Sequence, residues 1–249
     1  MAKMTRREVL CGSATAMTAT GLSLTASGAV KARSKKPKLL VAGAHPDDPE
    51  SACGGIMALY ADAGHEVVSL YLTRGEAGIH GKDHEEAARI RTAEAKEACR
   101  ILGARPVFAG QIDGATEVNS ARYDELRRIL DEEKPDTVIT HWPIDTHRDH
   151  RVIALLVYDA WLHRKKSFDL YYFEVEMGDQ TQHFCPTVYV DITPVEALKR
   201  QACYAHKSQD AELGFYVLHD KMNRFRGQEA GVKFAEALIR HRHVSTGPL

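Results

Sequence analysis

The sequence lacks the patterns that mark several common classes of protein. Beyond the N-terminal region, no segment approaches the roughly 18 consecutive apolar residues that a membrane-spanning helix needs. No stripe of Lys and Arg offers phosphates a binding surface. No Cys-x-x-Cys pair occurs, and we expect free, buried thiols beyond the N-terminal region. No Gly-x-Ser-x-Gly segment occurs, which argues against a serine nucleophile. We therefore expect neither a nucleic-acid partner nor stable membrane insertion.

The composition is that of an ordinary globular protein. Of the 249 residues, 44% are hydrophobic and 27% are charged, and 33 basic residues nearly balance 34 acidic ones. No internal repeat and no Ser/Gly/Pro-rich linker divides the chain after its first 32 residues. We expect a single domain over residues 33–249, with its core between residues 38 and 241.

Residues 1–32 resemble an export signal of the twin-arginine type. Arg6 and Arg7 precede an uncharged stretch, Cys11–Val30, that is rich in Ala, Gly, Ser and Thr. Small residues suit cleavage after Ala32, with Gly28 as a second candidate. An uncleaved tail is the alternative. An export signal predicts a periplasmic or extracellular protein.

Short apolar runs alternate with amphipathic stretches along the rest of the chain. Strands are predicted at 39–44, 65–73 and 136–140. Helices are predicted at 54–63, before Gly103, before Pro135, around 153–160, and at 194–206, 211–219 and 227–241. This alternation predicts an α/β fold with a mostly parallel sheet and helices on both faces. In such folds ligands bind beyond the carboxyl ends of the strands.

Two loops at predicted strand ends are rich in metal-ligating residues. The first strand runs into His45-Pro46-Asp47-Asp48-Pro49-Glu50, where clustered carboxylates repel one another unless a cation or proton lies among them. The strand ending at Thr140 runs into a segment, His141–His150, that holds three of the thirteen histidines. An Asp-rich helix cap and hydrogen-bonded loop histidines are the alternatives. The two clusters together favour a divalent metal.

Histidine and carboxylate ligands suit Zn²⁺, and Fe²⁺, Mn²⁺ or Co²⁺ would accept the same set. A catalytic site keeps three protein ligands and a position open for water. His45, one of the carboxylates and His150 are the natural three, because the other residues must stay free to transfer protons. Zinc lowers the pKa of a bound water to about 7. A free carboxylate can then take a proton, and His147, held by Asp149, can stabilise an oxyanion or protonate a leaving amine. These parts suffice for metal-assisted hydrolysis of an amide.

The two motifs together resemble those of the PIG-L (LmbE-like) deacetylase family. Residues 45–50 are similar to its HPDDxE signature, and His147-Arg148-Asp149-His150 is similar to its HxDH motif, with Arg148 in place of the commoner proline. Further similar stretches lie at 72–78, 91–103, 191–193, 205–209 and 231–237. The likeness spans roughly 38–241.

This resemblance implies residue roles and a substrate class. His45, Asp48 and His150 would bind the metal, and Asp47 would act as general base on the water. His147 would stabilise the tetrahedral intermediate and assist departure of the amine. Asp149 would orient His147, and Arg74 would lie near the substrate. Family members use a Rossmann-like fold, usually zinc, and remove acetyl groups from N-acetylglucosamine units of small glycoconjugates.

Alternative functions differ in what they require of the two loops. A Rossmann-type nucleotide-binding module needs glycines where the chain has His45–Asp48, and a pyrophosphate would be repelled by the carboxylates there. A non-catalytic zinc or carbohydrate-binding protein would tolerate loss of Asp47 or His147, and both are present. Hydrolysis of another N-acyl group stays open, as does assembly into a homo-oligomer. The expected partner is a small amino-sugar substrate.

Overall fold

Seven strands form one mixed sheet in the computed structural model, which describes residues 36–176 and 178–242. The strands are β1 Lys38–Gly43, β2 Glu66–Tyr71, β3 Arg105–Phe108, β4 Thr137–His141, β5 Asp169–Phe173, β6 Val188–Asp191 and β7 Ala235–Arg240. The helices are α1 Asp48–Asp62, α2 His84–Leu102, α3 Ser120–Glu133, α4 Arg148–His163, α5 Glu196–Tyr204 and α6 Phe215–Ala230. The predicted export signal lies outside the described residues.

The order of the strands creates a crevice between β1 and β4. The sheet runs β3-β2-β1-β4-β5-β7-β6, and β1 to β5 are parallel. The chain winds outward from β1 through β2 to β3, and then returns to place β4 on the other side of β1. Such a reversal is the point at which doubly wound sheets bind ligands. Both metal-ligating loops follow strands at this reversal.

The core lies on both faces of the sheet because successive side chains of a strand point to opposite faces. In β1, Leu40 and Ala42 pack with helices α3 and α4, whereas Leu39 and Val41 pack with α1, α2 and α5. All four side chains are fully buried. This explains why the central strand is a continuous apolar run, as expected for a parallel sheet that is covered on both sides.

The predicted α/β fold is confirmed, and most predicted elements are present with shifted ends. Helix α2 ends as expected at Gly103, which adopts the left-handed conformation with φ 68°. Helix α1 begins six residues earlier than predicted, at Asp48. Helix α6 begins at Phe215 and continues to Ala230, well beyond the predicted 211–219. The short strands β3, β5 and β6 were not predicted.

The prediction of a helix over 227–241 is wrong. Residues up to Ala230 complete α6, and Ala235–Arg240 form β7, which pairs antiparallel with both β5 and β6. The segment is rich in helix-forming Ala, Glu and Leu, but its backbone groups bond to two neighbouring strands. Tertiary pairing therefore overrides the local preference.

No helix in the described residues is long and apolar enough to cross a membrane. The cysteines at 53, 99, 185 and 203 are free. Three of them are buried, whereas Cys185 is exposed.

Candidate active site

The loop after β1 turns sharply so that His45 and Asp48 face the same space. The backbone N–H of His45 donates to Asp48 Oδ2 at 2.8 Å, and Asp48 starts α1 with Pro49 in its first turn. Between them, Asp47 has a φ of 113°, which is rare for a residue with a side chain. The carboxylate of Glu50 accepts the Asp47 backbone N–H at 3.1 Å. The tight turn thus allows two consecutive residues, Asp47 and Asp48, to present their carboxylates to the same space.

The loop after β4 brings its histidines to the same place. His141 is the last residue of β4, and His147 is the residue that caps α4, its Nδ1 accepting the backbone N–H of Asp149 at 3.2 Å. His150 lies in the first turn of α4. The His141 and His150 rings are 3.9 Å apart between centroids, and the His45 and His150 rings are 5.3 Å apart.

Asp48 is surrounded by three imidazoles. Its Oδ2 lies 3.3 Å from His45 Nδ1 and 3.2 Å from His141 Nε2, and its Oδ1 lies 3.5 Å from His150 Nε2. Asp48 and these three histidines are all at most 7% exposed. The structure therefore brings together the three residues that the sequence nominated as metal ligands.

His45 and His150 each contact further carboxylates. His45 Nε2 lies 3.1 Å from Asp113 Oδ1 and 3.4 Å from Asp149 Oδ2. His150 Nδ1 lies 3.3 Å from Asp145 Oδ1. Carboxylates that bond the outer nitrogen of a metal-ligating histidine fix its ring orientation and tautomer. Asp145 is placed to do this for His150.

Asp149 is held toward His45 by its own hydrogen bonds. Its carboxylate accepts the Gly114 backbone N–H at 2.8 Å and the Thr116 hydroxyl at 2.6 Å. Its contact with His147 runs through its backbone N–H. The carboxylate of Asp149 therefore bonds to the 113–116 loop and lies against His45, whereas the backbone N–H of Asp149 bonds to His147.

The charges of the cluster are strongly coupled. Burial would lower the pKa of His45, but hydrogen bonds to three carboxylates, with Asp113 foremost, raise it well above the usual value. Burial would raise the pKa of Asp48, but the imidazoles of His150 and His141 hold it well below its usual range. The pKa of His141 falls to about 4 because this ring is buried and lies against His150. A metal cation bound here would therefore compete with protons for the imidazole nitrogens and carboxylate oxygens of the cluster.

Asp47 stands at the edge of the cluster beside a buried arginine. Arg91 Nη2 donates to Asp47 Oδ2 at 2.8 Å and to the Pro46 carbonyl. Gly75 and Gly78 make room for this arginine, because a Cβ at either position would lie 2.6 Å or less from an Arg91 side-chain atom. Burial raises the pKa of Asp47 to about 6, although the Arg91 charge opposes this rise. A carboxylate with such a pKa is suited to exchange protons near neutrality.

A cavity of about 490 Å³ opens above the cluster. Its wall includes His45, Asp47, Asp48, His147 and His150. His147 is exposed, and the side chain of Asp47 is 18% exposed, so both are accessible from the cavity. A cavity of about 550 Å³, beside Trp161 and Arg240, lies away from the cluster and is lined by none of its residues.

Arg74 does not line this cavity in the described structure. Its Nε donates to Glu76 Oε1 at 3.0 Å, and about half of its side chain is exposed. Of the residues nominated from the sequence, Arg74 is therefore the one that stands apart from the cluster.

The ligand atoms of the cluster fall into three overlapping groups, each within 4.8 Å. The groups are His45/His147/His150, Asp48/His141/His150 and His45/Asp113/Asp149. Together these residues, all buried except His147, form a His/Asp site that fits a divalent metal by its donor chemistry. His141 Nδ1 is also buried without a hydrogen-bond partner.

The sequence assigns no role to two members of these three groups, His141 and Asp113. The sequence places His141 in the second histidine cluster, and its position at a strand end is the signal that points to it. Asp113 carried no such signal, because it lies in the 110–121 loop after β3, whose path depends on packing against α4.

Comparisons with known proteins agree with this geometry. The model of the PIG-L family, described as GlcNAc-PI de-N-acetylase, matches residues 40–161. A diacetylchitobiose deacetylase from Thermococcus kodakarensis is 30% identical over 220 residues, which cover 81% of this chain and 82% of that protein. A probable N-acetyl-alpha-D-glucosaminyl L-malate deacetylase 2 from Bacillus cereus is 29% identical over 203 residues, which cover 77% of this chain and 90% of that protein.

A solved structure shows the same fold. The N,N'-diacetylchitobiose deacetylase from Pyrococcus horikoshii superimposes with a TM-score of 0.73 at 24% identity, over 82% of this chain and 83% of that one. Both motifs lie at one crevice, and the relative from Thermococcus kodakarensis is 30% identical over 81% of this chain. The chain therefore belongs to the PIG-L family of deacetylases.

Proposed function

We propose that this protein hydrolyses the acetamide of N-acetylglucosamine units in small glycoconjugates, releasing acetate and a free amine. One observation carries the proposal: His45, Asp48 and His150 converge from two loops a hundred residues apart, with Asp47 and His147 beside them in one cavity. The names of the relatives supply the substrate class, because those proteins are deacetylases of diacetylchitobiose and of N-acetyl-glucosaminyl malate.

We assign His45, Asp48 and His150 as the ligands of a zinc ion, and Fe²⁺, Mn²⁺ or Co²⁺ would suit the same donors. When bound, the ion supplies Lewis acidity that polarises a carbonyl oxygen and makes water a better nucleophile. Asp145 and Gln180 contact His150 Nδ1 at 3.3 and 3.0 Å and would hold this ring in position.

Asp47 acts as the general base in this proposal. Its carboxylate lines the cavity next to Asp48 and is held by Arg91 at 2.8 Å. It takes a proton from the attacking water while the water oxygen bonds to the acetyl carbon. When the C–N bond breaks, a proton returns to the departing nitrogen, so that acetate and an amine are formed.

His147 acts on the substrate from the same cavity, where it is an exposed histidine. Its ring centroid lies 4.7 Å from that of His45 and 4.6 Å from that of His150. Its Nδ1 accepts the Asp149 backbone N–H, which leaves Nε2 to carry a proton toward the substrate. This nitrogen would stabilise the tetrahedral intermediate or protonate the leaving amine, and Asp149 positions the ring.

Acetate release tests the proposal directly. Purified protein is depleted of metal, restored with zinc, and incubated with N-acetylated amino sugars, their conjugates and unrelated N-acyl compounds. The proposal predicts acetate from the amino-sugar substrates that disappears on depletion and returns with metal. Binding of these sugars without acetate release would instead favour a non-catalytic carbohydrate-binding protein, and release from the other N-acyl compounds alone would reassign the substrate class.

We further propose that residues 1–32 direct export by the twin-arginine route. Paired Arg6 and Arg7 before an uncharged small-residue stretch support this. A fusion of residues 1–37 to a reporter should leave the cytoplasm, and replacing both arginines by lysine should retain it. Retention of the unmodified fusion would contradict the proposal.

A further inference from the structure

The cavity above the His/Asp cluster contains one carboxylate that the proposed reaction does not use. Glu176 lines the cavity together with Asp47, Asp48 and Asp113. Those three aspartates are each bonded to a cationic or imidazole partner. In the part of the chain that the structure describes, no ion pair engages Glu176.

The arginines near the cavity have carboxylate or carbonyl partners, and Arg148 Nε lies 3.7 Å from Asp149 Oδ1. Among the described residues of its wall, Arg91 is the one Lys or Arg side chain, and it is bonded to Asp47. Arg74 is paired with Glu76, and Arg151 donates to the Asp145 and Thr146 carbonyls. The wall therefore offers no uncommitted arginine or lysine to an anionic substrate.

Two hydrogen bonds close the loop that carries Glu176. The loop after β5 is closed by the Thr181 N–H to the Val175 carbonyl at 3.1 Å and by the Val175 N–H to the Thr181 hydroxyl at 2.8 Å. Glu176 itself has a φ of 47°, in the left-handed region. Its pKa is raised, first by burial and then by the nearby carboxylates of Asp179 and Asp145. The neighbourhood of Glu176 is thus already rich in negative charge.

We propose that Glu176 is a specificity-determining residue that selects substrates whose aglycone is neutral or carries an amine, and rejects aglycones with a carboxylate or phosphate. This inference rests on the proposed deacetylation and deepens it. A negative group beside Glu176 would meet an unpaired carboxylate with no uncommitted arginine or lysine on the wall to offset it, whereas a sugar hydroxyl or an ammonium would gain a hydrogen bond to that carboxylate.

Paired substrates test this selection. The values of kcat/KM are measured for neutral N,N'-diacetylchitobiose and for anionic N-acetyl-alpha-D-glucosaminyl L-malate with metal-loaded enzyme. The wild-type protein should prefer the neutral substrate by about tenfold or more, the order expected of one partly screened charge contact. Glu176→Gln should lower this ratio and Glu176→Lys should lower it further, mainly through the KM of the anionic substrate.

Asp179→Asn is the matched control. It removes the same charge from the same loop, at an exposed residue outside the cavity wall, and should keep the ratio within about twofold because exposed charges are screened by water and salt. The ratio compares two substrates on one preparation, so a reduced fraction of folded enzyme does not alter it.

Three results would overturn the assignment: equal or better use of the anionic substrate by the wild type, an unchanged ratio in Glu176→Lys, or an equal shift in Asp179→Asn. Absence of acetate release from either substrate by the wild-type holoenzyme is distinct from these results, because it would overturn the proposed function and this inference with it.

Discussion

Asp47 shows how much of the site depends on the conformation of a single residue. Its φ of 113° costs of the order of 1–3 kcal/mol for a residue with a side chain. Glu50 offsets part of this cost by accepting the Asp47 N–H, and Arg91 binds both the Asp47 carboxylate and the preceding carbonyl. The backbone is therefore strained where it must present two consecutive carboxylates to one cavity.

The substitution Asp47→Asn keeps the size of the side chain and removes the base. We expect kcat to fall by about 10²-fold or more, because general-base assistance contributes this much, while the metal content is retained. Acetate release and metal analysis of the same preparation measure both.

Asp62→Asn is the control for this substitution, because Asp62 is the exposed last residue of the same helix, α1. It should leave activity unchanged. Full activity of Asp47→Asn would assign the base to another residue.

The site residues that the sequence predicts lie at strand ends or helix starts, whereas a residue that it misses lies in a loop. His45, Asp48 and His150 directly follow strands or begin helices, so motif and strand end coincide. Asp113 reaches His45 from a loop after the short strand β3, and no local pattern marks it. Sequence motifs therefore predict the site residues at strand ends, whereas site residues in loops are brought in by tertiary packing that no local pattern reveals.

At the scale of elements, β7 is the clearest failure of local reasoning. Its sequence favours a helix, but the segment is a strand, in which the side chain of Glu236 points to the opposite face of the sheet from those of Ala235 and Ala237. Its buried carboxylate accepts the backbone N–H groups of Gly55 and Ile56 at 2.8 Å each. A strand thus bonds the backbone of α1, the helix that carries Asp48.

Glu236 also pairs with Lys199, and both side chains are fully buried. Replacing Glu236 by Gln leaves the ammonium of Lys199 without a counter-charge, and we expect the free energy of unfolding to fall by about 3–5 kcal/mol. Denaturant unfolding measures this change.

The double variant Lys199→Met, Glu236→Gln is the critical comparison. It removes both charges and should be clearly more stable than Glu236→Gln alone. If the effects of the two single substitutions simply add, Lys199 of α5 and Glu236 of β7 do not stabilise each other as a pair.

At the scale of the whole molecule, the alternation of strands and helices predicts the fold class, and the order of the strands explains the site. The alternation was visible because the central strands are apolar runs buried on both faces. The sequence does not predict the antiparallel edge, because β6 has only four residues with partly exposed side chains and the sequence of β7 favours a helix. The reversal between β1 and β4 explains why two loops distant in sequence meet.

The edge of the sheet opposite the strand carboxyl ends carries a charge cluster that predicts how stability depends on pH. Lys38 Nζ lies 2.8 Å from Glu66 and 3.3 Å from Glu133, and Arg105 lies 2.6 Å from Glu133. The Lys38 hydrogen bond lowers the pKa of Glu66. Burial would raise the pKa of Glu133, but hydrogen bonds from Arg105 and Lys38 outweigh it, so this pKa is also lowered.

Carboxylates with lowered pKa values stabilise the fold above their unfolded pKa, near 4.5, and this contribution is lost as pH falls through the folded values. The double substitution Glu66→Gln, Glu133→Gln should therefore cost about 1 kcal/mol at pH 7 and progressively less below pH 4.5. Denaturant unfolding of both proteins at matched pH values measures the difference. A difference that stays constant on acidification would exclude this cluster as the source.

The metal content of the purified protein tests the central claim most directly. Element analysis should find about one divalent ion per chain in the wild-type protein, none in His150→Ala, and one again in His163→Ala, an exposed histidine at the end of the same helix. A wild-type protein that cannot be loaded with a stoichiometric ion, or a His150→Ala variant that keeps it, would contradict the account that the two loops form a shared metal site.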